Sequence, residues 1–317
     1  MQVVFPKARL LSKVIVDFEV KVKITHASLT TITVPAFAPY KLLRRISLDL
    51  NNGFMPFVID GVSLAMYNMI RLNPSVIIPQ SSNNRGFCYF PAMVVSSSGT
   101  VNTYKFSVEL PITLNPRDPV GLILLQNEAT QVTLNADLVN GAEIFDSPAG
   151  YTVAITECTM TPSAETFTIP PTADAFPDLS VIKLVSARTE TFAGAGQNVA
   201  KLQCGTIYRK LLVYLQKADG TPFDDSEITS NIDLVFNQAD IPYSIKPQAL
   251  AHKNESDLGY ALPKGLFVFD FTNQGIPNLG GTRDYIDTEK LTEFWVRFST
   301  QDAGKITVIS ETLTRLK

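Results

Sequence analysis

The chain holds two histidines, His26 and His252, and three cysteines, Cys88, Cys158 and Cys204. Most metal sites and nucleophilic centres are built from these residue types. A metal-dependent oxygenase on a β-barrel needs several His and carboxylate ligands on one face. Two histidines at non-equivalent places, with no His-x-His pair, do not supply them. A serine or cysteine nucleophile needs a base within hydrogen-bond reach. No GxSxG turn is present, and neither histidine has a recognisable partner. The cysteines form no CxxC pair, so zinc or redox chemistry has no support. They are expected as buried free thiols of a chain made in a reducing cytoplasm.

The remaining chemical candidates have bland readings. Asp224, Asp225 and Glu227 cluster beside the Asp219-Gly220 turn. They lack the alternate-residue carboxylates of an EF-hand loop, and a solvated acidic loop is expected. The run GAGQN at residues 194–198 precedes no phosphate-loop Lys-Ser/Thr. Asn254-Glu255-Ser256 matches a glycosylation sequon, but the N-terminus carries Lys7, Arg9 and Lys13 where a signal peptide is apolar, so the match reads as accidental. Phe294, Trp295 and Phe298 are expected in a core or a subunit interface rather than as a sugar platform. Glycoside hydrolysis needs only two carboxylates and is the enzyme chemistry that sequence leaves open. The expectation is therefore a non-enzyme with no catalytic, cofactor-binding or metal-ligating residues.

The elements that would carry any site are mostly strands. In residues 14–24, Val14, Val16, Phe18, Val20, Val22 and Ile24 alternate with Ile15, Asp17, Glu19, Lys21 and Lys23. That is the period of a half-buried strand. Similar segments, rich in Val, Ile, Thr, Phe and Tyr, recur at 28–34, 45–50, 101–110, 131–138 and 151–160, and again at 181–192, 208–215, 228–236, 266–271, 293–298 and 305–313. Many short strands with turn-rich joins predict a β-sandwich or barrel. Two segments break the pattern and predict short helices. Residues 60–72 have Asp60 placed as an N-cap, and residues 247–258 have Pro247 in the first turn.

These helices belong to an internal repeat. Residues 46–68 align without a gap on residues 232–254, with eight of 23 positions identical. Ordinary residue usage predicts about one or two. The identities are Ile46/Ile232, Leu48/Leu234, Asn51/Asn237, Pro56/Pro242, Ile59/Ile245, Leu64/Leu250, Ala65/Ala251 and Asn68/Asn254. Two weaker echoes follow in the same order: Arg117-Asp118 with Arg283-Asp284, and ITECTMT (155–161) with ISETLT (309–314). Collinear matches predict a duplicated domain. The expected halves are 10–162 and 179–317, joined by a Pro-rich linker at 163–178. Each Arg-Asp pair sits beside turn residues and is expected to tie a loop down by charge-assisted hydrogen bonds, or to meet a neighbouring subunit.

The segments FSVELPITLNPRDPVGLILLQN (106–127) and LPKGLFVFDFTNQGIPNLGGTRDYIDTEKLTEFWVRF (262–298) resemble the double jelly-roll major capsid protein of tectivirus-like phages. The likeness covers most of the chain. It implies an all-β fold of two tandem jelly rolls with short inserted helices. It also implies a homotrimer of near-hexagonal footprint that tiles an icosahedral shell around an internal membrane. The implied partners are neighbouring trimers, vertex and minor capsid proteins and the lipid; the implied location is the virion, after synthesis in the host cytoplasm. The formal net charge of −3 argues against sequence-specific nucleic-acid binding. The first 25 residues nevertheless carry five basic residues against two acidic ones. Lys7, Arg9 and Lys13 are candidates to face anionic headgroups. The rival expectations are a spike or carbohydrate-binding β-sandwich protein and, behind it, a two-domain glycan hydrolase.

Overall fold

The computed structural model describes residues 1–28, 30–32, 37–51, 53–71, 88–89, 93–114, 120–126, 131–144, 150–272 and 285–315. They form two compact units, Met1–Leu179 and Ser180–Lys317.

In the first unit the elements run β1 (Gln2–Val4), β2 (Leu10–Thr25), β3 (Thr30–Ile32), β4 (Leu43–Leu50), β5 (Phe54–Ile59), α1 (Gly61–Met69), β6 (Cys88–Tyr89), β7 (Met93–Val95), β8 (Thr100–Pro111), β9 (Ile123–Leu124), β10 (Val132–Leu138), α2 (Gly141–Ile144) and β11 (Thr152–Phe167). One sheet has the order β1-β10-β4-β5 and another β11-β2-β8-β6, with β9 on the start of β2 and β3 paired to β7. Every ladder is antiparallel. Strand β2 shows why the sequence folds this way. All six residues of its apolar set, from Val14 to Ile24, are buried, and the alternate set is half-buried or exposed. Each buried Val or Phe contributes about 1.5–3 kcal/mol, so a one-residue slip of the ladder would forfeit the whole set.

The second unit runs β12 (Val181–Phe192), β13 (Gly196–Leu202), β14 (Ile207–Lys217), β15 (Ile232–Phe236), β16 (Asp240–Ile245), α3 (Pro247–Leu258), β17 (Leu266–Asp270), β18 (Ile286–Asp287), β19 (Phe294–Thr300) and β20 (Gly304–Arg315). Its sheets repeat most of the first unit's strand order, with β12, paired antiparallel to β20, as an addition. The order β13-β19-β15-β16 reproduces β1-β10-β4-β5, and β20-β14-β17 reproduces β11-β2-β8. Strand β18 lies on the start of β14 as β9 lies on the start of β2. Its core gathers Leu211, Val213, Phe267, Phe294 and Phe298 between the two sheets.

The repeat read from the sequence has a structural cause at five of its eight identities. Ile46, Leu48 and Leu64 are fully buried, as are Ile232, Leu234 and Leu250. The hairpins share a bulge at the same place, between Leu48 and Leu50 and between Leu234 and Phe236. Asn51 and Asn237 turn those hairpins with φ of 56° and 47°, a left-handed conformation that Asn tolerates better than other side-chain-bearing residues.

Some expectations are corrected in detail. The first helix is shorter than 60–72: it spans Gly61–Met69 and its C-cap is Ile70. Asp60 caps it as expected, accepting from Ser63 N at 2.9 Å. Strand β11 runs on through Phe167, into the stretch expected as linker, because Thr166 and Phe167 pair with Leu11 and Leu10. Cys158 and Cys204 are free thiols but half-buried rather than buried. Cys158 lies midway along β11, which ends its sheet, and Cys204 in the connection between β13 and β14. Burial, their first influence, still pushes both thiols up.

Candidate functional site

Among the described residues the two histidines lie in different units. His26 packs against Tyr151 in the first unit, ring centroids 4.5 Å apart and tilted by 35°, with Nδ1 3.2 Å from Ser28 O, while His252 is exposed on α3 in the second. Among the described residues no three His, Cys, Asp or Glu are grouped as a metal site requires. The acidic loop is held by cations. Lys217 Nζ lies 2.5 Å from Glu227 Oε1, Lys264 lies 2.5 Å from Asp224, and Asp224 N donates to Glu227 Oε2 at 2.8 Å. The Lys217 hydrogen bond holds the Glu227 carboxyl below its ordinary range, whereas burial and then Asp224 push Asp225 up. An open cleft of about 430 Å³ lies beside this loop, bordered by Asp225, Gln248, His252, Glu255 and Lys264. Trp295 is half-buried on β19, flanked by the buried Phe294 and Val296.

Two kinds of site are built instead: amide latches and sheet faces. Asn254 on α3 donates from Nδ2 to Val268 O at 2.7 Å and accepts at Oδ1 from Val268 N at 2.9 Å. One side-chain amide thereby replaces a neighbouring strand residue on edge strand β17. In the first unit Asn68 on α1 makes the same pair with Glu109 of β8, both at 3.0 Å once its amide is turned oxygen toward the Glu109 N–H. Asn237 Oδ1 accepts from Thr292 N at 2.9 Å and Thr292 Oγ1 at 3.0 Å, while its N–H donates to Glu293 O. Asn51 does likewise with Gln131, whose N–H reaches Oδ1 at 2.8 Å. Sequence reasoning found these four residues as identities and missed what they hold. The signal was there: a polar residue repeated inside an apolar segment must satisfy backbone groups that core packing cannot.

The outward face of β11-β2-β8 is a charge ladder. Lys13 lies 3.1 Å from Glu165 and 3.6 Å from Glu109, Lys21 lies 2.6 Å from Glu157, and Lys105 lies 2.8 Å from Glu19. Ser107 donates to Asp17 on the same face. The exposed pairs, Lys21–Glu157 and Lys105–Glu19, contribute little stability each, whereas Glu109 is buried. The corresponding face of β20-β14-β17 is different: Leu212, Ile309, Val268 and Leu266 are buried on it. A bulge in β14 at Arg209 lets that guanidinium reach Glu311 Oε1 at 3.0 Å, with both side chains 2% exposed.

Of the residues singled out from sequence, Lys7 and Arg9 are exposed, and Lys13 is held in the ion pairs just described. Arg117, Asp118, Arg283 and Asp284 lie outside the described residues.

The duplicated strand order defines a class of fold, the double jelly roll. Solved structures of that class match over nearly the whole chain. The major capsid protein of Sulfolobus turreted icosahedral virus has a TM-score of 0.70 at 14% identity, covering 99% of this chain and 91% of that one. The Faustovirus major capsid protein has a TM-score of 0.61 at 10% identity, with 99% and 87% covered. The major capsid protein of bacteriophage PM2 has 0.54 at 10%, with 100% and 91% covered. No protein-family model matches the chain, and neither does any curated protein. At these identities the likeness establishes the fold: all-β, two jelly rolls in tandem with short helices inserted.

Proposed function

We propose that this chain is the major structural protein of a viral shell and that its work is self-association rather than catalysis. The observation that carries the reading is the end-to-end likeness to capsid proteins, which takes in both sandwiches and the inserted helices. Three chains associate as a homotrimer. With two similar domains per chain, threefold symmetry yields six similar contacts and a near-hexagonal outline that tiles an icosahedral facet. Neighbouring trimers, vertex and minor capsid proteins and an internal membrane are its partners in a phage virion of the tectivirus-like kind, assembled in the host cytoplasm. Lys7 and Arg9 meet anionic headgroups at the inner surface, and Lys13 joins them if it leaves its carboxylate partners. Arg117-Asp118 and Arg283-Asp284 brace loops at subunit contacts.

Light scattering on the purified chain, followed by negative-stain imaging of the same fraction, tests the reading. A trimer with a hexagonal outline is the expected result. A monodisperse monomer that never assembles would overturn it.

A further inference from the structure

Each hairpin has a short turn ahead of it and a helix behind it, and the two copies of this pair meet differently. In the first unit α1 lies against the turn Tyr40–Leu42 and against β4 and β8, all of its own unit. The approach is so close that a Cβ on Gly61 would collide with Tyr40 O. Tyr40, Leu42, Met66 and Met69 are buried there. In the second unit the turn Asp225–Glu227 also borders α3, but the cleft of about 430 Å³ is left open and lined by both. Every residue lining it belongs to that unit. One stripe of α3 faces it: Gln248, Ala251, His252 and Glu255, at i, i+3, i+4 and i+7. Extended by one residue, the gapless repeat sets Val62, Met66 and Met69 where Gln248, His252 and Glu255 stand. Core packing does not call for that exchange of apolar for polar side chains.

The walls of the cleft are pinned. Asn254 latches α3 to Val268, Lys264 holds Asp224, and Asp224 N donates to Glu227 Oε2. Its volume falls in the range of about 300–1,000 Å³ usual for small-molecule sites. Its charge is unbalanced: Lys264 pairs with Asp224, and among the described residues Asp225 and Glu255 have no ion-pair partner. Asp225 is half-buried, and a cation beside it would offset both the burial and the Asp224 charge that push its carboxyl up. Among the described residues no three His, Cys, Asp or Glu are grouped to hold a metal ion, and Ala251, Leu262 and Pro263 give the cleft an apolar side. An ammonium on an aliphatic body suits both parts, with N–H donors for the carboxylates and methylenes for the apolar side. We propose that this cleft binds an aliphatic amine, its ammonium on Asp225 and Glu255 and its chain along Ala251, Leu262 and Pro263. Two sources share that chemistry, a free polyamine and the lysine side chain of a protein partner.

The full chain is titrated with cadaverine and with Nα-acetyl-lysine amide, read by calorimetry and by NMR shifts of Gln248 and His252. Saturable binding of at least one amine is expected, and none of pentanol, which has the body without the charge. Asp225→Asn and Glu255→Gln, with folding checked by melting, are each expected to weaken binding about tenfold or more, as loss of a hydrogen bond to a charged group does. Asp257→Asn removes a charge from the same helix outside the cleft and is expected to leave binding unchanged. Tighter binding of cadaverine marks a free polyamine as the ligand; tighter binding of the lysine derivative marks a protein partner. Failure of both amines to saturate, or an equal loss in Asp257→Asn, would overturn the assignment. Neither result bears on the shell reading.

Discussion

Asn254 and Val268 are joined by one side-chain amide that gives and takes a hydrogen bond with the strand backbone, at 2.7 and 2.9 Å, and Asn68 does the same for Glu109. The relation links α3 to the edge strand β17, and α1 to β8 beyond the residues that pair with β6. Asn254→Ala strands a buried N–H and a buried C=O. At about 1–3 kcal/mol for each unsatisfied group, the variant should lose about 2–6 kcal/mol in urea unfolding. Asn254→Asp keeps the acceptor but sets a second carboxylate oxygen against the Val268 carbonyl, so at neutral pH it is expected to cost at least as much as Ala.

Asn237 does two jobs that substitutions separate. Its backbone sits at φ 47° and its carboxamide accepts from Thr292 and Glu293. Asn237→Gly keeps the backbone at ease and removes only the side-chain bonds. Asn237→Ala pays about 1 kcal/mol more for the left-handed conformation. Calorimetry should therefore order the melting temperatures wild type, Gly, Ala. An Ala variant as stable as Gly would show that the turn relaxes.

The buried Arg209–Glu311 pair makes a third case. Arg209→Met leaves a buried carboxylate without its guanidinium, at a cost of about 3–5 kcal/mol. Arg209→Met combined with Glu311→Leu removes both charges and should cost clearly less than the sum of the single changes. Additive losses in a double-mutant cycle would mean that the two side chains act independently.

Acid should loosen the loop that Lys217 and Glu227 hold. The Lys217 hydrogen bond, then the Asp224 N–H, lower the Glu227 carboxyl below its ordinary value of 4.5. A carboxyl depressed in the folded state contributes stability that is present above its unfolded value and is lost as pH falls through the folded one. Unfolding midpoints measured between pH 7 and pH 3 should decline below about pH 4.5, and Glu227→Gln should flatten part of that decline.

Changing Lys7, Arg9 and Lys13 together to Gln tests the headgroup contact. Reduced lipid in purified particles, or weaker binding of the trimer to anionic vesicles with neutral vesicles unaffected, is the expected outcome. Particles with full membrane content would remove these residues from the lipid boundary.

The sequence determined the elements and their duplication. Period-two alternation placed β2 with its buried set from Val14 to Ile24, because a pleated strand with one dry face admits no other pattern. The gapless repeat carried the hairpin, its bulge and its helix together, and Asp60 announced the helix start. What each repeated asparagine binds was decided only in three dimensions, since Asn254 and Val268 meet through a fold that brings a helix against a sheet edge. The tertiary structure also decided that two surfaces of common descent differ in burial. Leu212 and Ile309 lie under cover where Asp17 and Lys105 face outward, and which copy of a face meets solvent depends on what packs over it, not on the strand's own alternation.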